Sequence, residues 1–233
     1  PEKLRELQQL FMIEAAKYNV FPLDDRRYER FNAAVAGRPD LPGERKTMTF
    51  YPGMSHMMEN TVLNTKNRSH SITAEVEVAE GKSDGVIIAQ GGRFAGWSLY
   101  VKDGAARFAY NYFDLETTYV AATEKIPTGK VNIRYHFNFD GGTPGAGGTG
   151  RLYVNDKQAG EQRIKRTVPF LFSGDETLDI GSDRAMPVTD EYAEGEENEF
   201  KGTIHWVRID LEDDDVSHLE PEEQKYHRII ARQ

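Results

Sequence analysis

Six histidines, at positions 56, 70, 136, 205, 218 and 227, are the side chains best fitted to proton transfer or metal ligation in this sequence. They do not form a recognisable site. No two stand at the i, i+4 spacing of a helical zinc site, and no His-Glu-x-x-His string occurs. His136 and His205 fall in alternating segments, opposite the main apolar stripe, where a surface or groove histidine belongs. Nucleophilic chemistry has less support still. The chain has no cysteine, which excludes disulfides, thiol nucleophiles and thiolate metal sites, and no Gly-x-Ser-x-Gly elbow. Asn67-Arg68-Ser69 is formally a glycosylation sequon.

The loop Tyr51-Pro52-Gly53-Met54-Ser55-His56-Met57-Met58 has the most unusual composition. Methionine is soft and adaptable, so this loop reads either as a plug between helical and sheet elements or as an apolar rim for an aromatic ligand. Tyr51, His56 and Met57 are the rim candidates. Two acidic stretches, Glu212–Asp215 and the loop holding Asp183, Asp190, Glu191 and Glu194–Glu199, gather carboxylates. A hard cation such as calcium needs several oxygen ligands. Solvated loops are the simpler reading, with Asp183 and Asp190 capping turns. Trp97, Tyr100, Tyr110 and Tyr112 stack on sugar faces if exposed and fill a core if not.

These residues must be positioned by sheets. Val131, Ile133, Tyr135, Phe137 and Phe139 alternate with polar residues, a glycine-rich loop is expected over Gly141–Gly150, and Leu152 and Val154 resume the alternation. No Gly-Lys-Ser/Thr follows those glycines, so they predict a hairpin and not a phosphate cradle. Ile72–Val78 alternates likewise, and Gly85–Gln90 is a continuous apolar run suited to a strand buried on both faces. Trp97, Leu99 and Val101 lead through Asp103-Gly104, a tight hairpin signal, to Phe108, Tyr110 and Tyr112. Thr47–Tyr51, Thr117–Ala121 and Gly202–Leu211 are further strands; Glu161–Arg166 and Thr177–Gly181 carry weaker patterns. About ten strands with regular turn signals predict an all-β sandwich.

Helices flank it. Leu4, Leu7, Phe11, Ala15 and Tyr18 recur at helical spacing over Pro1–Tyr18, and a shorter helix is expected over Asp25–Val35. Pro221 opens a last helix whose Tyr226, Ile229 and Ile230 form an apolar face in need of a docking surface. The predicted organisation is a helical linker over 1–46, a sandwich over 47–211, and an acidic linker with a docking helix over 212–233. A net charge of −9 argues against a nucleic-acid partner. No apolar run approaches the ~20 residues of a membrane span. The sequence opens without an initiator Met on a charged amphipathic stretch, which reads as a fragment or processed chain without a signal peptide.

Several long strings resemble one family. AAKYNVFPLDDRRYERF (15–31), FYPGMSHMMENTVLNTKNRSHSITAEVEV (50–78), GVIIAQGGRFAGWSLYVKDG (85–104), FSGDETLDIGSDRAMPVTDEY (172–192) and the closing HLEPEEQKYHRIIARQ are similar to the C-terminal region of bacterial formylglycine-dependent arylsulfatases. The resemblance implies a mainly β fold, an antiparallel concanavalin A-like or laminin-G-like jelly roll with N-terminal and C-terminal helices. It implies a preceding catalytic domain carrying calcium and formylglycine. No C/S-x-P/A-x-R motif occurs in this chain, so no catalytic residue carries over and the chain is expected to be inactive alone. The expected function is an accessory domain packed beside that catalytic domain. Carbohydrate binding and homo-oligomer assembly are the alternatives, and the expected compartment is open: periplasmic, secreted or cytoplasmic in a bacterium.

Overall fold

A computed structural model describes residues 1–23, 37, 39–81, 83–184, 186–192 and 195–213. The helices expected over 25–35 and 221–233, together with His218 and His227, lie outside the described residues. The chain divides into two compact units, residues 1–39 with 221–233, and residues 40–220.

In the first unit, α1 spans Glu2–Lys17. It starts after Pro1, where a missing N–H costs nothing, and Lys17 in its last turn suits the negative end of the helix. Tyr18 N–H donates to Glu14 O at 3.0 Å, and Asn19, with φ 55°, ends the helix. Leu4, Leu7, Leu10, Phe11, Met12 and Ile13 are all exposed along it.

Among the described residues the second unit contains eleven strands: β1 (Thr47–Phe50), β2 (His70–Val78), β3 (Gly85–Gly92), β4 (Ala95–Lys102), β5 (Ala105–Tyr112), β6 (Glu116–Ala121), β7 (Gly129–Phe139), β8 (Ala146–Val154), β9 (Lys157–Arg166), β10 (Leu178–Ile180) and β11 (Thr203–Leu211). They form two antiparallel sheets. Sheet A has the order β1-β11-β2-β7-β8-β9 and sheet B the order β10-β3-β4-β5-β6. The fold is a mainly β sandwich.

Its core follows from the period-2 pattern, which sends every second side chain to the inner face. Ile72, Tyr135 and Leu152 lie opposite one another across β2, β7 and β8 and are all buried. Phe108 of sheet B stacks on Tyr135 of sheet A with centroids 3.5 Å apart, and Trp97 lies 6.0 Å from Phe108. Asp103 and Gly104 (φ 53° and 78°) make the expected tight hairpin, and Asn155-Asp156 (φ 48° and 63°) makes a second.

The glycine-rich segment departs from expectation. β8 begins at Ala146, so Gly147, Gly148 and Gly150 belong to a strand and not to the loop. For Gly148 and Gly150 the reason is crowding by rings from β7. A Cβ at Gly148 would stand 2.3 Å from the Phe137 ring, and one at Gly150 would stand 2.7 Å from the Tyr135 hydroxyl. Glycine here makes room for neighbouring aromatics.

The edges of the sheets are guarded. The segment Met54–Met57 adds to β10: Met57 N–H donates to Leu178 O at 3.2 Å, Leu178 N–H to Met57 O at 2.8 Å, and Ile180 N–H to Met54 O at 3.0 Å. At the other edge of sheet B, β6 meets β9 of sheet A, where a Cβ on Gly160 would lie 2.3 Å from Ala121 O. The ends of the sandwich are clasped. Leu211 N–H donates to Lys46 O at 2.7 Å, and Lys46 forms an ion pair with Asp213.

Candidate ligand-binding face

The two outer faces of the sandwich differ. Over sheet B, the described segments 181–184 and 186–192 fold back across the strands. Val86, Ala89, Tyr100 and Ala109 are buried beneath Val188 and the partly buried Tyr192. This is why β3 is buried on both faces, as its continuous apolar run predicts. Asp183 holds the loop: its Oδ2 accepts from Tyr192 Oη at 2.6 Å and from Val188 N–H at 2.9 Å, while its own N–H donates to Asn198 Oδ1 at 2.9 Å. Burial pushes the Asp183 carboxyl up to about 6, with the Tyr192 and Val188 hydrogen bonds pulling the other way. Glu191 accepts from Tyr100 Oη at 2.5 Å and from Arg107 at 2.6 Å. Burial pushes the Tyr100 hydroxyl well above the usual tyrosine range, and the Glu191 hydrogen bond adds to it.

Three of the loop carboxylates, Asp183, Asp190 and Glu191, have partners within the protein. Asp183 and Glu191 brace the loop, and Asp190 pairs with Arg93 at 3.2 Å. Among the described residues, no group of three or more His, Asp or Glu is placed to hold a metal ion.

The sugar-stacking aromatics resolve in the same way. Trp97 and Tyr110 lie in the main core, and Tyr100 is sealed under the loop. Tyr110 Oη accepts from Val168 N–H at 2.8 Å. Tyr112 is half-buried, with the Arg166 guanidinium 4.4 Å over its ring.

Tyr51, His56 and Met57 lie in the loop that edges β10. Tyr51 is exposed. His56 takes φ 55°, donates its N–H to Asp179 Oδ1 at 2.8 Å, and has Nδ1 3.1 Å from Ser55 Oγ. Met57 is half-buried against the core. Of the other described histidines, His70 is buried, with Nδ1 3.1 Å from Arg68 O. His205 Nε2 lies 3.2 Å from Glu77.

The outer face of sheet A is lined by half-buried and exposed polar and aromatic side chains. A bulge in β11 helps create it. Ile204 and Val207 are both buried although three residues apart, and the register with β2 shifts between Ile204 and Trp206. The extra residue turns Trp206 outward, opposite Glu75. One residue pair further along, Arg208, Thr73, Arg134 and Tyr153 follow one another across β11, β2, β7 and β8. Arg208 lies 5.6 Å over the Trp206 ring and Arg134 lies 4.2 Å over the Tyr153 ring. The next row holds Asp210, Ser71, His136 and Arg151. His136 Nδ1 is 3.1 Å from Ser71 Oγ and 3.2 Å from Glu212, and its Nε2 is 3.1 Å from Asn138 Oδ1.

Sequence reasoning placed Arg134 and His136 on the polar side of this strand but missed Trp206 and Tyr153. The signal was present in GTIHWVRIDL: buried Ile204 and Val207 break strict alternation, so one intervening residue must bulge. A face built of aromatic plates, guanidinium groups, amides and hydroxyls offers groups that can contact a polar ligand.

No family model matches the chain and no curated protein matches it. Solved structures do. A native heptameric SAP-like pentraxin from Limulus polyphemus matches at 16% identity over 72% of this chain and 75% of its own, with a TM-score of 0.35. Domains LG4-5 of the mouse laminin alpha1 chain match at 10% identity over 72% of this chain, which spans 39% of theirs, with a TM-score of 0.42. The CBM40 of a Ruminococcus gnavus IT-sialidase, solved bound to alpha2,6 sialyllactose, matches at 12% identity over 73% of this chain and 94% of its own, with a TM-score of 0.43.

Proposed function

We propose that this chain is a non-catalytic recognition module that binds carbohydrate on the outer face of sheet A. The observation that carries the reading is the contrast between the two faces. Val188 and Tyr192 cover Val86, Ala89, Tyr100 and Ala109 of sheet B, while sheet A carries Trp206, Tyr153, Arg134, Asn132 and Ser71 on its outer face. Sugar rings offer flat C–H faces to aromatic plates and hydroxyls to amides and guanidinium groups. A glycan array probed with the 233-residue chain, followed by calorimetry on the hits, tests it. Binding is expected to weaken about tenfold on Trp206→Ala, the cost of one stacking contact. No binding of any glycan at millimolar concentration would overturn the assignment.

A second reading concerns the setting of the module. The exposed apolar residues of α1, Leu4, Leu7, Phe11 and Ile13 among them, support a docking role beside a preceding domain. In the sulfatase-like parent, calcium and formylglycine belong to that catalytic domain, and Tyr51, His56 and Met57 supply a substrate-facing rim. His56→Ala with Met57→Ala in the intact parent is then expected to change KM for an aryl sulfate. An unchanged KM with folding intact removes the rim role.

A further inference from the structure

We infer that the sheet A face reads an anionic substituent on its sugar, a carboxylate or a sulfate ester, through Arg134. The inference rests on the carbohydrate reading and narrows it. The formal charges around Arg134 are matched in pairs. Arg208 holds Asp210 at 2.8 Å, Arg151 holds Glu161 at 2.6 Å, and Lys130 holds Glu75 at 3.5 Å. Arg134 makes no ion pair among the described residues. It instead rests 4.2 Å over the Tyr153 ring, on a central strand of the sheet.

That contact does two things. It holds a long side chain in place before ligand arrives, which reduces the ordering cost of binding. It also leaves the N–H groups of the guanidinium available, and their fork matches two oxygens of a carboxylate or sulfate. Asn132 and His136, both half-buried, flank Arg134 two positions away along β7, and Ser71 lies opposite His136 on β2, so amide, imidazole and hydroxyl groups stand near the charge. Trp206 is two strands across and one residue pair along. The strand spacing and rise put roughly 12 Å between the two positions. An acidic oligosaccharide can therefore set its charged unit on Arg134 and a neighbouring ring on Trp206.

The test uses nuclear magnetic resonance titrations of the whole chain with three tetrasaccharides at low salt. They are hyaluronan, which carries carboxylates alone; its carboxyl-reduced neutral form; and carboxyl-reduced chondroitin 4-sulfate, which carries sulfate alone. At least one charged probe is expected to bind about tenfold tighter than the neutral one, an advantage that added salt erodes. Which charged probe it is names the group. Arg134→Gln is expected to abolish the advantage and leave neutral binding in place. Arg134→Lys is expected to restore less than half of it, because an ammonium lacks the fork. Equal binding of charged and neutral probes, or an advantage that survives Arg134→Gln in a folded variant, overturns the inference and spares the carbohydrate reading. If none of the three binds and the glycan array is also blank, it is the carbohydrate reading that fails.

Discussion

At the scale of single residues, Asp183 sets a measurable pH dependence. Its carboxyl is raised from 3.8 to about 6 by burial, so the folded chain holds that proton more tightly than the unfolded chain does. Stability from this group is therefore fully present below about pH 4 and lost as pH rises through about 6. Two pH units correspond to about 3 kcal/mol. Asp183→Asn removes the titration, so the stability of the native chain relative to the variant is expected to fall by that order between about pH 4 and pH 7. Urea denaturation of both proteins at several pH values measures it. A difference that stays flat with pH would show that Asp183 remains charged in its pocket.

At the scale of elements, the bulge in β11 absorbs one residue that would otherwise break the alternation of the strand. Ile204 pairs with Val76 and Trp206 with Glu75, so His205 is the unpaired extra residue. Deleting His205 is expected to leave every flanking pair in register and to cost about 1 kcal/mol or less in thermal or urea unfolding. Deleting Arg208 instead would send Ile209 to the outer face and should prevent folding. If both deletions behave alike, the register does not control the fold. The contrast also shows what the sequence could reveal. Ile72–Val78 and Val131–Phe139 declare strands and faces together, since a half-buried strand writes its burial as alternation. Gly148 and Gly150 misled because their reason lies on another strand, under Phe137 and Tyr135, and Gly147 because its reason lies against the β9 backbone at Ile164 and Lys165. Tyr100 alternates with core residues, and nothing local records that Val188 and Tyr192 cover it. Periodicity gives the two sides of a sheet, and only tertiary folding decides which side stays open.

At the scale of the whole molecule, the sandwich is closed where sheets are usually vulnerable. Met54–Met57 lines the β10 edge and β6 abuts β9 around Gly160, leaving the four-residue β1 as the short remaining edge of sheet A. Short or covered edges deny another chain a template for pairing. The clasp at Lys46, Leu211 and Asp213 has a mechanical meaning as well. Thr47 opens β1 beside Asp210 near the close of β11, so a pull applied through residues 46 and 212 meets the β1–β11 ladder at one end. The load falls on one rung at a time and not on all rungs in parallel. Pulled through residues 46 and 212, the sandwich is expected to yield first by unzipping at this seam, with the rest of both sheets still standing, which single-molecule force spectroscopy measures.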